Sequence, residues 1–339
     1  MSRGRAACVD VGSTFTKGAL VELPSGRLLG TAAHPTTAGG DVLRGLDAVL
    51  AELGATGGDE VLVCSSAGGG LRLAVVGNER AITAEAGRRV GLSAGARVVH
   101  VSAGPLDDGG VERLLDDRPD VVLLVGGTDG GNAEVLLHNA AALGRSRLRA
   151  PVVVAGNVKA RDEVARLLGR GGHRSVPVAN VLPCIGVLDP EPARSAIRAV
   201  FVQHVIGGKG LSPDPRFAGL VRAATPDAVL TGVELLADAT GDVIVVDVGG
   251  ATTDVYSAVT PDPEEAVLRR EVVEVLWRGR TVEGDLGLRW NAVGVLAAAS
   301  QERLLAPGEE PVLRPAAERR AAEPAYLPDS EGERAVDVR

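Results

Sequence analysis

The sequence predicts an α/β protein built from two unequal units. Three observations carry this expectation. Short valine-rich runs alternate with Ala/Leu/Arg stretches of helical character. An aspartate that ends an apolar run, followed by glycine and hydroxyl residues and then a second apolar run, occurs twice, 247 − 10 = 237 residues apart. The composition is that of an ordinary globular chain, 45% hydrophobic and 24% charged over 339 residues.

The elements follow in chain order. Apolar runs at residues 6–11, 18–23, 60–64, 97–101, 121–125, 152–155 and 243–248 read as strands, most of them too continuously apolar to have a wet face. Residues 40–53, 83–91, 133–143 and 160–168 read as helices. Only residues 12–17 separate the first two runs, too few for a crossover helix, so that pair must be an antiparallel hairpin. The turn Leu23-Pro24-Ser25-Gly26 follows and extends the opening into a β-meander. A second strand–turn–strand opens after Gly241, with its returning strand over residues 254–259. The expected division is residues 1–235, a first unit with an inserted α/β segment; 236–305, the start of a second unit; and 306–339, a charged Pro/Ala-rich solvated tail.

The two hairpins carry the chemistry. The first reads Asp10-Val11-Gly12-Ser13-Thr14-Phe15-Thr16-Lys17; the second reads Asp247-Val248-Gly249-Gly250-Ala251-Thr252-Thr253-Asp254. Glycine lets backbone N–H groups approach phosphate oxygens closely, and Ser and Thr add hydroxyl donors. A strand-end aspartate suits hydrated Mg²⁺, a hard cation that prefers oxygen ligands and keeps several waters. Asp10 and Asp247 are therefore the expected catalytic and metal-holding residues. Gly12, Ser13, Thr14, Lys17, Gly249, Gly250, Thr252 and Thr253 are the expected phosphate contacts. Lys17 is one of only three lysines against 33 arginines, and can support phosphate charge or simply point outward. Other nucleotide motifs fail: no GxxxxGK[ST] is present, no GxGxxG follows the first strand, and Gly207-Gly208-Lys209-Gly210 lacks the spacing and the hydroxyl.

The paired Asp-x-Gly hairpins resemble those of the actin/Hsp70/sugar-kinase superfamily of ATPases. A closer resemblance is carried by residues 64–72 (CSSAGGGLR), 83–86 (TAEA), 125–132 (VGGTDGGN) and 281–289 (TVEGDLGLR). In these the chain resembles the accessory, or reactivating, proteins of coenzyme-B12-dependent glutamate (methylaspartate) mutase. The resemblance implies an actin-like (ribonuclease-H-like) ATPase fold of two lobes, ATP and Mg²⁺ as cofactors, and adenosylcobalamin-dependent mutase subunits as partners. It implies a reactivase or chaperone that uses ATP binding and hydrolysis. The superfamily's later Gly-rich adenosine element has no counterpart after Arg289, so the second lobe is expected to be cut short.

Two other readings stay open. A small-molecule kinase of the same superfamily needs a general base toward its acceptor, for which Asp129 is the candidate. A non-catalytic lobe would bind a mutase subunit without turnover. Several classes are set aside. A net charge of −8 argues against broad nucleic-acid binding, and no apolar run approaches the length of a membrane span. Three distant cysteines without a CxxC and a start without a signal-peptide core point to a reduced, cytoplasmic setting. Cys8 and Cys64 are expected as small hydrophobes within strands. The five histidines show no ligand spacing, Glu283 and Asp285 read as a solvated acidic turn, and no Asp-x-His-x-x-Gly cobalamin motif occurs. The chain is therefore not expected to be the B12-binding mutase itself.

Overall fold

The computed structural model describes residues 4–37, 40–67, 71–94, 96–206, 211–260, 278–283 and 286–338. The sequence features at Gly68–Gly70, Gly207–Gly210, Gly284 and Asp285 lie outside these residues. The first unit opens with strands β1 (Arg5–Val11), β2 (Phe15–Glu22) and β3 (Arg27–Pro35), helix α1 (Val42–Glu52) and strand β4 (Glu60–Ser65). The inserted segment follows as β5 (Arg72–Gly77), α2 (Glu85–Ser93), β6 (Arg97–Ala103), α3 (Asp108–Asp116), β7 (Val121–Leu124), α4 (Glu134–Arg145), β8 (Val152–Val154), α5 (Arg161–Gly169) and β9 (Ser175–Pro177). The chain returns through α6 (Glu191–Val200) and α7 (Arg216–Leu220) to β10 (Val221–Ala224). Helix α8 (Thr225–Thr240) then leads to β11 (Val243–Val248), β12 (Thr253–Ala258) and β13 (Arg278–Glu283).

The strands form three sheets. The first has the order β10-β4-β1-β2-β3. Its β1–β2–β3 meander is antiparallel, and β4 and β10 join parallel on the other side of β1. Helix α1 starts on Asp41, whose carboxylate accepts the Leu43 N–H at 3.0 Å, and buries Leu46 and Val49 against the meander. Gly18 makes this close approach possible, because a Cβ there would lie 2.4 Å from the Val49 side chain.

The inserted sheet is parallel, with the order β6-β5-β7-β8-β9. Alternate residues face two cores. Leu73, Val75, Val121 and Leu123 join the core of the first sheet, whereas Ala74, Val76, Val122 and Leu124 pack with Leu114, Leu136, Leu143 and Leu168 of α3, α4 and α5. Burial on both faces is why β7 and β8 read as unbroken apolar runs, whereas the equally buried β5 was not among the expected strands.

The third sheet, β11-β12-β13, is an antiparallel meander like the first. Helix α8 covers one of its faces, with Leu230, Val233 and Ala237 against Tyr256 and Ala258. The expected boundary between residues 235 and 236 falls within this one continuous 16-residue helix. The stretch expected as a solvated tail contains two helices, Glu309–Ala322 and Glu331–Val338. Arg320 is buried there, donating to Asp337 at 2.6 Å and to the Glu333 carbonyl at 2.7 Å. Composition hides this packing because its anchor is an arginine that sheds water only once its acceptors surround it. Cys8, expected as buried, is exposed, and Cys64 is half-buried.

Candidate functional site

The two hairpin turns are built alike. In the first, the Gly12 N–H donates to the Phe15 carbonyl at 3.1 Å; in the second, the Gly249 N–H donates to the Thr252 carbonyl at 2.9 Å. Each glycine is required, since a Cβ would fall 2.7 Å from Phe15 O or 2.9 Å from Thr252 O. The turns also meet each other: a Cβ on Gly250 would lie 2.3 Å from Thr14 Oγ1. Among the described residues, nothing accepts the backbone N–H groups of Ser13, Thr14, Gly250 or Ala251. The Thr14 hydroxyl is buried without a partner. Facing N–H groups and an orphaned hydroxyl form a cradle for anionic oxygen.

One cavity of about 500 Å³ lies at this junction, within the range of nucleotide-sized sites. It is lined by Asp10, Gly12, Ser13, Thr14 and Lys17 from the first hairpin, and by Asp247, Gly249, Gly250 and Thr252 from the second. Thr253 is not among its lining residues, and its hydroxyl donates to the Leu286 carbonyl at 2.5 Å. A Thr on a strand alternates faces with its neighbours, so Thr252 and Thr253 cannot both serve one side. Ser13 Oγ makes a long 3.4 Å contact to the Ser66 carbonyl.

The two aspartates sit in different fields. Burial pushes the Asp10 carboxyl up; a hydrogen bond from Thr225, the nearby Lys17 and Cys64 oppose that, and Asp247 adds to it. Thr225 Oγ1 donates to Asp10 Oδ1 at 2.6 Å, and Cys64 Sγ lies 3.7 Å from the same oxygen. Burial, with the Asp10 charge beside it, pushes the Cys64 thiol up to about 12, so it is no nucleophile at neutral pH. Asp247 is exposed to the cavity, and its partner across the sheet is Asp254. Burial raises the Asp254 carboxyl, and Arg280 counters by donating to Asp254 Oδ1 at 2.6 and 3.1 Å.

Among the cavity residues to which sequence reasoning gave no site role are Thr225, Asp254, Arg280 and Arg289. Asp254 was legible, closing the second motif at the position Lys17 holds in the first. Thr225 and Arg280 carry no local signal, because pairing across the fold brings them in. Asp129, the candidate acceptor base, is absent from the cavity lining. Its Oδ1 accepts from Asn180 Nδ2 at 2.9 Å and from the Val158 N–H at 3.1 Å, bracing the Gly-rich loop of the inserted sheet. Among the described residues no group of three or more His, Cys, Asp or Glu side chains could enclose a metal. No described helix is long and apolar enough to cross a membrane.

The profile of the family described as MutL protein matches residues 6–339. The chain belongs to the MutL protein family. Protein MutL of Clostridium tetanomorphum is 38% identical to it over 308 residues, covering 87% of this chain and 67% of that protein. Structural likenesses are distant. Nucleotide-free acetone carboxylase, an enzyme of ATP-dependent acetone carboxylation, is 15% identical with a TM-score of 0.39, covering 82% of this chain and 48% of that one. The ADPNP-bound activator of 2-hydroxyisocaproyl-CoA dehydratase from Clostridium difficile is 12% identical with a TM-score of 0.16, covering 51% and 88%. A reductive activator for corrinoid, iron-sulfur protein is 12% identical with a TM-score of 0.18, covering 76% and 30%. At these scores the solved structures lend this chain no function. The α/β architecture, with two meander-led units meeting at a cleft, has the arrangement expected of an actin-like fold.

Proposed function

We propose that this MutL-family chain is an ATP- and Mg²⁺-dependent accessory protein of an adenosylcobalamin-dependent mutase. The observation that carries the nucleotide part is the meeting of the two Asp–Gly hairpins at one cavity, with Gly250 against Thr14. The backbone N–H groups of Ser13, Thr14, Gly250 and Ala251 would hold phosphate oxygens from opposite sides, with the Thr14 and Thr252 hydroxyls beside them. Asp10 and Asp247 would hold hydrated Mg²⁺. The bound metal would supply charge neutralisation for phosphoryl transfer, which depends mostly on positioning and electrostatics. Lys17, the neighbour of Asp10 across the hairpin, adds a positive charge at the same mouth. The mutase part of the proposal rests on family membership and on the motifs at residues 64–72, 83–86, 125–132 and 281–289. The setting that fits this partner is the cytoplasm.

The kinase reading finds less support, because the Asp129 carboxylate is engaged within the inserted segment. Calorimetry of ADP and ATP with Mg²⁺ tests the proposal on the wild type and on Asp247→Ala. Micromolar binding by the wild type, weakened at least about tenfold in the variant, is expected. Phosphate release without any acceptor would mark an ATPase, and consumption only with a small-molecule acceptor would mark a kinase. A wild type that captures the mutase but binds no nucleotide would leave only the non-catalytic reading.

A further inference from the structure

The first residue of α8, Thr225, makes its side-chain hydrogen bond outside its own helix. The capping position of α8 is held by Ala224, which has no hydroxyl to offer the helix backbone. Here α8 has no side-chain cap, and the Thr225 hydroxyl points out of the helix to Asp10, 215 residues away in sequence. It takes Oδ1 at 2.6 Å, the oxygen that Cys64 also approaches. Oδ2 is left without a protein donor among the described residues, and it is the oxygen nearer to Gly12 of the phosphate turn.

The donor is held firmly. Asp227, in the same first turn, accepts from Arg198 of α6 at 2.7 Å, and Glu234 about two turns further on accepts from Arg194 at 3.3 Å. Strand β10, which ends at Ala224, pairs with β4 and sets the other side of Thr225. The remainder of α8 packs under β11 and β12, through Leu230, Val233 and Ala237. One helix therefore touches the aspartate of the first hairpin with its first residue and supports the strand bearing the aspartate of the second with its body.

We propose that Thr225 is a positioning residue for the nucleotide site: it fixes the Asp10 carboxylate so that Oδ2 is presented to the metal–phosphate unit, and it ties that presentation to the helix beneath the second hairpin. The inference rests on the reading that Asp10 holds hydrated Mg²⁺. A donor to a charged acceptor is among the stronger hydrogen bonds, so its loss should be measurable without unfolding the chain.

The test measures ADP binding by calorimetry, with Mg²⁺ and with a chelator in its place, for the wild type, Thr225→Val and Thr225→Ser. The expected result is a loss of about tenfold in Mg²⁺-dependent affinity for Thr225→Val. Metal-free ADP binding should change by less than about twofold, and Thr225→Ser should recover the wild-type ratio of the two affinities. A residue that merely supports the fold would lower both affinities together, and that outcome overturns the assignment. Equal Mg²⁺-dependent affinity in Thr225→Val and wild type overturns it as well, while leaving the nucleotide reading intact. A wild type that binds ADP under neither condition sinks the nucleotide reading and this inference with it.

Discussion

The two Asp–Gly hairpins share a turn and differ in nearly everything around it. Adding 237 to Asp10, Gly12, Phe15 and Lys17 gives Asp247, Gly249, Thr252 and Asp254, and both turns close through the same N–H to carbonyl bond. Strand β1 lies inside its sheet, between β2 and β4, whereas β11 pairs with β12 alone among the described strands. Val9 is 2% exposed; Ile244, Val246 and Val248 are each more than half exposed. Asp10 is sunk among Thr225, Cys64 and Lys17, while Asp247 faces Asp254 and depends on Arg280 to neutralise its neighbour. The comparison teaches that a turn motif sets backbone geometry, and that the sheet around it sets burial and charge.

Three experiments probe this contrast, beginning with the one of largest effect. Arg280→Met leaves the Asp254 carboxylate, 8% exposed, without its ion-pair partner. Removing one member of such a buried pair costs about 3 kcal/mol or more, read as a lowered urea midpoint. Combining it with Asp254→Asn should recover most of that loss. If the single variant were as stable as wild type, the charge balance assigned to the second hairpin would be wrong.

Equivalent valines come next. Val9→Ala removes two buried carbon groups and should cost about 1.6 kcal/mol, whereas Val246→Ala, 57% exposed, should stay within about 0.5 kcal/mol. Equal losses would show that the outer face of β11 is covered in solution.

The smallest effect is local to the jaws. Gly250→Ala pushes a methyl group to within 2.3 Å of Thr14 Oγ1 and 3.1 Å of Thr14 Cβ, so the turns must part. Affinity for Mg·ADP should fall about tenfold, about 1.4 kcal/mol, with the urea midpoint nearly unchanged. Retained affinity would mean that phosphate binding does not need the turns in contact.

Much of the fold was legible in the chain. Strands β7 and β8 of the inserted sheet stand out because burial on both faces removes polar residues, and the hairpins stand out because six residues cannot make a crossover. Less legible were β3, β9 and β10, where Gly, His, Pro or Arg interrupts the apolar pattern, and β5, which was not among the expected strands although Leu73–Val76 are fully buried. The helix assigned to residues 83–91 begins with a π-helical turn at Arg80–Ala84, a register that residue patterns do not encode. The closing helices were hidden as well, since Leu313 and Ala317 give only a short apolar contact with Ala292 and Leu296, and the buried Arg320 beside them is held by acceptors from Glu333 and Asp337.

Sequence alone determined the local chemistry: aspartate at a strand end, glycine where a Cβ would strike a carbonyl, hydroxyls in the turn. These are short-range requirements, met within a few residues. Tertiary structure decided which hydroxyl orients Asp10, which arginine neutralises Asp254, and that Thr252 lines the cleft while Thr253 turns away. Hydrogen bonds and ion pairs act over about 3 Å, and folding brings such partners together from positions as far apart as 215 residues, with no trace in the pattern at either end.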